Sequence, residues 1–262
     1  MTDRVQSTIY TEKPDLSVVI PTYLRAAVLR CHIQRIVCCL EKAELPGNGV
    51  FEIILVDDAS PDGTRDCIRS LVSSDCRICG LVLKNRTGQQ NATLAGIRQA
   101  RGDIIVTMDD DGKDQPEEIQ RLLSALISGY DIVYGVSEQR SQSILRRLGT
   151  TVKEHLIGRL CQKPAGIRLT AFRAMNRTTA DRVTEETRRR VYISATILQY
   201  SLRIGSVTVR ESRQNTAVSG YSMCHLLRVL TDLFIEYGSG PLSRLFRRHG
   251  SQYVIGEVIE CG

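Results

Sequence analysis

Tryptophan is absent from the 262 residues, and phenylalanine and tyrosine bring the aromatic share to only 5%. Arginines without interleaved aromatic rings lack the stacking surface that single-stranded nucleic acid uses, and no nucleic-acid motif occurs, so no nucleic-acid partner is expected. No run of about 18 apolar residues appears, which excludes a spanning helix by hydropathy. The opening residues MTDRVQSTIY lack the charged-then-apolar order of a secretory leader, and a soluble or peripheral, non-exported chain is expected. Cysteine is plentiful at nine but odd in number, and Cys38 and Cys39 are neighbours within a helical pattern. Reduced thiols fit better than a disulfide framework. Cys76 and Cys79 have metal-ligand spacing without a second close pair, so semi-buried thiols are the simpler reading.

Negative charge is scarce in the second half. Residues 1–139 carry 15 basic and 20 acidic side chains, residues 140–248 carry 20 and 7, and the net charge of the whole is +6. A basic C-terminal half points to an anionic partner: phosphates, or an anionic membrane surface.

Short β-branched runs alternate with helical periodicity through the first half. Strands are expected over 16–23, 51–58, 81–85, 103–109 and 131–136, and helices over 29–40, 64–72, 89–100 and 116–128. Such alternation with short connections demands an α/β fold, a mostly parallel Rossmann-like sheet flanked by helices. Ligands of such sheets bind at the carboxyl ends of the strands, near the point where strand order reverses. Asp57 and Asp58 end one strand, and Asp109, Asp110 and Asp111 end another, so two acidic clusters converge on one crevice.

Adjacent carboxylates repel and need a compensating cation. A hard divalent ion, Mg²⁺ or Mn²⁺, held by one or two carboxylates and completed by phosphate oxygens would supply it, which points to a nucleotide diphosphate. Past residue 140 the alternation stops. Apolar stripes at helical spacing over 144–160, 223–237 and 241–250, mixed with arginines, suit core packing, a membrane interface or a homo-oligomer contact. Residues 1–218 are read as the catalytic domain and 219–262 as a basic extension of C-terminal amphipathic helices.

The motifs in their order resemble the family-two glycosyltransferases of the GT-A fold. The order runs Pro21-Thr-Tyr23, Val56-Asp57-Asp58-Ala-Ser60, Gly88-Gln-Gln-Asn-Ala92, Asp109-Asp-Asp111, then Pro116-Glu117-Glu118. Phe172-Arg173-Ala174, Arg213, Ser219-Gly-Tyr221-Ser222 and Asp232 through Pro241-Leu242 look like the polyprenyl-phosphate branch, which contains dolichol-phosphate mannose synthase and the undecaprenyl-phosphate sugar transferases. The likeness spans roughly residues 16–246.

That resemblance implies an inverting transfer from a nucleotide sugar to a polyprenyl phosphate, at the cytoplasmic face of the membrane. It implies that Pro21, Tyr23, Asp58, Gln89, Asp109 and Asp110 surround the nucleotide. Asp109 and Asp111 would hold the metal, with Asp111 foremost, and Arg173 would join them in catalysis. Arg213, Ser219 and Tyr221 would meet the acceptor and its phosphate. A soluble saccharide acceptor, or a nucleotide-sugar-binding protein that has lost activity, are the competing readings.

Four departures from the family pattern stand out. Leu24-Arg25 replaces Asn-Glu, Lys113 replaces a common Gln, and Ile167 stands six residues before Arg173 where relatives often have Asp. The paired membrane spans that often follow Pro241-Leu242 are missing. A phosphate monoester is already anionic near neutrality and needs no base, so the Ile167 change weighs little against a phosphate acceptor.

Overall fold

A computed structural model describes residues 13–137, 164, 166–200, 202–212, 231, 235–237 and 252–261. Strand β1 (Leu16–Thr22) and strand β2 (Phe51–Asp57) are buried along their whole lengths, as expected of apolar runs covered on both faces. Helix α1 (Leu29–Leu40) buries Leu29, Ile33, Ile36 and Leu40, one stripe at helical spacing. Helix α2 (Thr64–Ser74) buries Ile68, Leu71 and Val72 in the same manner.

Strand β3 (Ile78–Leu83), helix α3 (Gln89–Gln99), strand β4 (Ile104–Thr107), helix α4 (Ile119–Ile127) and strand β5 (Ile132–Ser137) continue the alternation. The five expected strands and four expected helices are all present, with boundaries moved by a few residues. Beyond them come strand β6 (Arg173–Asn176), helix α5 (Arg177–Thr184), helix α6 (Ile193–Ile197), strand β7 (Ile204–Val209) and strand β8 (Ile255–Ile259).

The eight strands form one sheet in the order β7-β5-β6-β4-β1-β2-β3-β8. Pairs β1–β2, β1–β4, β2–β3 and β5–β7 are parallel. Strand β6 enters antiparallel between β4 and β5, and β8 closes the far edge antiparallel to β3. Six strands therefore run one way and two the other. None of β6, β7 and β8 is expected from the sequence: the first is only four residues long and carries a buried arginine, and the last two lie far beyond the alternating region. Residues 255–259, assigned by sequence to the amphipathic extension, pair with the central sheet. The stripes at 144–160, 223–230 and 241–250 lie outside the described residues.

Two apolar cores sandwich the sheet. One joins α1, α2 and α4 to Val18, Ile20, Ile53 and Leu55, and the other joins α3, α5 and α6 to Val19, Ile54 and Val56. Helix α3 rides close over the second face because Gly96 has no side chain there. A Cβ at that position would sit 2.3 Å from Val19 Cγ1 and 3.0 Å from Val56 Cγ2. The chain passes outward from β1 to β2 and β3, then returns to the other side of β1 as β4. The reversal point thus lies between β1 and β4, where a crevice opens at the strands' carboxyl ends.

Candidate active site

Four loops meet at that crevice: those after β1, β2, β3 and β4. Leu24 N donates to Ser60 Oγ at 3.0 Å, Arg25 N to Thr64 Oγ1 at 3.0 Å and Ala26 N to Asp62 Oδ2 at 3.3 Å. These bonds staple the loop after β1 to the loop after β2. Leu24 and Ala59 both take φ 58°, a left-handed conformation that costs a non-glycine residue about 1 kcal/mol or more. Strain is thus placed at the ends of two adjacent strands, on the rim of one crevice.

The crevice has a volume of about 280 Å³ and is lined by Pro21, Tyr23, Arg25, Asp58, Arg86, Gly88, Gln89 and Asp109 to Asp111. The seven residues that sequence placed around a nucleotide and a metal are thereby brought together. Arg173 lies elsewhere: it is 2% exposed, below the crevice floor, donating to Thr107 Oγ1 at 3.1 Å and Ser194 Oγ at 2.9 Å. Arg213, Ser219 and Tyr221 lie outside the described residues.

Asp58 is 4% exposed, and the loop between β3 and α3 saturates its carboxylate. Oδ1 accepts from Thr87 N at 2.7 Å and Thr87 Oγ1 at 3.0 Å, and Oδ2 accepts from Gly88 N at 2.8 Å. Its visible task is to fix that loop, and through it Gln89, against the crevice. Replacing Asp58 with alanine strands three donors and is expected to lower stability by about 2–3 kcal/mol. Urea unfolding would measure that loss, and hydrogen exchange at Thr87 and Gly88 would localise it.

Each aspartate of the triplet has its own partners. Asp110 accepts from Arg25 Nε at 3.2 Å and from Tyr23 N at 3.4 Å. Asp111 accepts the backbone N–H of Lys113 at 3.0 Å and forms an ion pair with the Lys113 ammonium. Asp109 accepts from Gln89 Nε2, and its own N–H donates to Asp114 Oδ2 at 3.2 Å.

No cation touches Asp109 among the described residues; burial, with Asp111 and Asp110 alongside, pushes its carboxyl up to about 7 despite the charge of Arg173 beneath. Burial and Asp109 push Asp114 up to about 8. Burial draws His32 of α1 below its usual range, against the opposing pull of Asp110. On one wall of the crevice the Arg86 guanidinium lies 4.0 Å from the Tyr23 ring centroid, a cation–π contact.

The raised carboxyls give stability a definite pH dependence. A folded-state pKa above the unfolded value makes the protonated group stabilising at low pH, and that contribution is lost as pH rises through the folded pKa. Without added divalent cation, stability is expected to fall by about 2 kcal/mol between pH 6 and pH 8. Asp109→Asn is expected to flatten part of that slope, as followed by urea unfolding at each pH.

Sequence reasoning missed Arg25 and Lys113 as partners of the triplet, and Arg86 as a wall of the crevice. Both partner residues were visible as departures from a family pattern, but their pairing depends on a turn whose geometry no spacing rule supplies. Ile167, a third departure, packs against the apolar core that α3 shares with the sheet.

A mostly parallel sheet with a polar, carboxylate-lined crevice at the carboxyl ends of its strands is an α/β architecture with its ligand site at the point where strand order reverses. Residues 17–184 match glycosyl transferase family 2. The undecaprenyl-phosphate 4-deoxy-4-formamido-L-arabinose transferase of Aeromonas hydrophila is 30% identical over 235 residues, covering 88% of this chain and 70% of the relative. The enzyme of that name from Shewanella sediminis is 29% identical, with 88% and 69% covered.

Among solved structures, glucosyl-3-phosphoglycerate synthase from Mycobacterium tuberculosis, in complex with Mn²⁺, UDP-glucose and phosphoglyceric acid, aligns with a TM-score of 0.61 at 17% identity. It covers 99% of this chain and 93% of that one. The mannosyltransferase of Pyrobaculum calidifontis, in complex with GDP-mannose and Mn²⁺, aligns at 0.55 and 18% identity, covering 87% of this chain, which spans 64% of that one. The chain belongs to glycosyl transferase family 2: its fold is GT-A, and glycosyl transfer is its class of chemistry.

Proposed function

We propose that the protein transfers a sugar from a nucleotide sugar to a polyprenyl phosphate, inverting the anomeric centre, at the cytoplasmic face of a membrane. The observation that carries the donor half is the crevice itself, where Pro21, Tyr23, Arg25, Asp58, Arg86, Gln89 and Asp109 to Asp111 line one polar volume. The acceptor half is supported by the relatives named for undecaprenyl phosphate. Among the described residues no helix is long and apolar enough to cross a membrane. The basic second half is then the surface that meets anionic headgroups.

The donor set fits a hard divalent ion, Mg²⁺ or Mn²⁺: Asp109 and Asp111 offer carboxylate oxygens, and Asp109 makes no ion pair among the described residues, its side chain accepting only from the Gln89 amide. Among the described residues no three metal-ligating side chains form a cage, so phosphate oxygens would complete the coordination. When bound, such an ion supplies electrostatic stabilisation of the departing diphosphate.

The protein's own residues do the rest. Tyr23 and Arg86 form a flat cationic wall for the base, and Asp58 holds the Thr87-Gly88 loop that shapes the same side. Gln89 orients Asp109. Arg173 stabilises the Asp109 carboxylate from below. Arg213, Ser219 and Tyr221 would receive the acceptor phosphate, whose oxygen is already anionic and attacks without a base.

Incubation with a panel of UDP- and GDP-sugars, Mg²⁺ or Mn²⁺ and a short-chain polyprenyl phosphate tests this, with mass spectrometry of the products. A glycosylated lipid phosphate formed with one donor is the expected result. Product formed only on a soluble saccharide would move the acceptor, and donor binding without turnover in any mixture would leave a binding protein.

A further inference from the structure

Lys113 engages both oxygens of the Asp111 carboxylate. Its backbone N–H reaches Oδ1 at 3.0 Å and its ammonium pairs with Oδ2. The first contact is an Asx-type turn over Asp111-Gly112-Lys113, for which Gly112 adopts φ 71°. The turn is anchored from outside as well: Ser212 N donates to Lys113 O at 2.9 Å, and Asp114 bridges to Glu211. The backbone contact is therefore fixed, while the ammonium, on a flexible four-carbon stem, is the releasable one. The two side chains are 33% and 24% exposed, so the ammonium can leave its partner for solvent.

We infer that Lys113 is a tethered place-holder cation, which keeps Asp111 paired until a divalent cation and a nucleotide diphosphate arrive together. This rests on the donor reading above. The charge inventory favours it. Arg25 already balances Asp110, Lys113 balances Asp111, and Arg173 lies beneath Asp109. Two of the three carboxylates are thus ion-paired without any metal, and a metal alone must displace an ammonium to reach Asp111. When the diphosphate is present the displaced ammonium gains phosphate oxygens to pair with, so the exchange becomes favourable. Cation uptake is thereby made conditional on the nucleotide.

The test is Mn²⁺ binding followed by electron paramagnetic resonance on the full chain, first with the metal alone and then with UDP or GDP. Lys113→Gln is expected to bind Mn²⁺ alone roughly three- to tenfold more tightly than wild type, given an ion pair partly screened by solvent. The enhancement that nucleotide gives should shrink correspondingly. Lys113→Arg should restore weak binding of the metal alone. Arg25→Gln, which frees Asp110, should change metal-alone binding less than Lys113→Gln does.

Equal Mn²⁺ affinity for wild type and Lys113→Gln would overturn the inference, as would equal gains from Lys113→Gln and Arg25→Gln, since only the general field would then be at work. Failure of the donor reading would register differently, as no binding of UDP or GDP by wild type under any metal condition.

Discussion

Under the proposed function, in which Asp111 holds the divalent ion, Asp111→Asn is expected to lower turnover of the productive donor roughly 10²- to 10³-fold, the order of loss when a preorganised electrostatic stabiliser of the leaving group is removed. Asparagine keeps the side-chain oxygen that accepts the Lys113 N–H, so the Asp111-Gly112-Lys113 turn survives. What disappears is one negative charge. The Lys113 ammonium loses its partner, but at 33% exposure water solvates it, and the melting temperature should move little.

Because the interaction at stake grows as the diphosphate departs, kcat should fall far more than the donor KM rises. Nucleoside diphosphate release measures the first and a donor titration the second. Asp66→Asn is the matched control, since Asp66 sits 80% exposed on α2, paired only with Arg69 among the described residues. Turnover of Asp111→Asn within tenfold of wild type would remove Asp111 from the centre of the chemistry.

The convergence behind that prediction was legible in the sequence because it follows from topology alone. Once 16–23, 51–58 and 103–109 are parallel neighbours, Tyr23, Asp58 and Asp109 must emerge at one end, and the register of β1 with β2 and β4 places them there. Alternation and crossover handedness prune the possible strand orders, and the fold supplies the order β4-β1-β2-β3. Strand β6 was not legible. Its four residues, Arg-Ala-Met-Asn, carry a charge at a buried position, and only pairing on both sides with β4 and β5 makes them a strand.

Charge pairing was illegible for a related reason. Arg25 and Asp110 are 85 residues apart, and their contact depends on the strained turn at Leu24, which no propensity foretells. Asp58 illustrates a third limit: a carboxylate at a strand end reads as a ligand contact, whereas here three donors of its own loop occupy it. Its position follows from the strand pattern, and its partners only from the fold.

Arg173→Met is expected to cost about 3 kcal/mol of stability at pH 8 and clearly less at pH 6, because an unpaired buried charge typically costs several kcal/mol. Arg173 opens the antiparallel strand β6, opposite Thr107 on one side and Tyr134 on the other. Methionine preserves the length of the stem, so little packing is lost. Thr107 Oγ1 keeps its bond to Ala171 O at 2.6 Å, and the Ser194 hydroxyl loses one donor. Electrostatics dominates instead, since Asp109 is left with no cation beneath it.

That penalty arises only when Asp109 is ionised. Its carboxyl titrates near 7 with Arg173 present, and removing the arginine raises it further, so at pH 6 the group is neutral and scarcely feels the loss. The penalty must therefore grow with pH, the opposite of a packing defect, which would be constant. Asp109→Asn removes the charge altogether, and the double variant should recover part of what Arg173→Met loses at pH 8, with a coupling of about 1–3 kcal/mol. Urea unfolding of the four proteins at pH 6 and pH 8 closes the cycle. A pH-independent loss with no coupling would confine Arg173 to its bonds with Thr107 and Ser194, and the guanidinium would then have no part in holding the Asp109 carboxylate at the crevice floor.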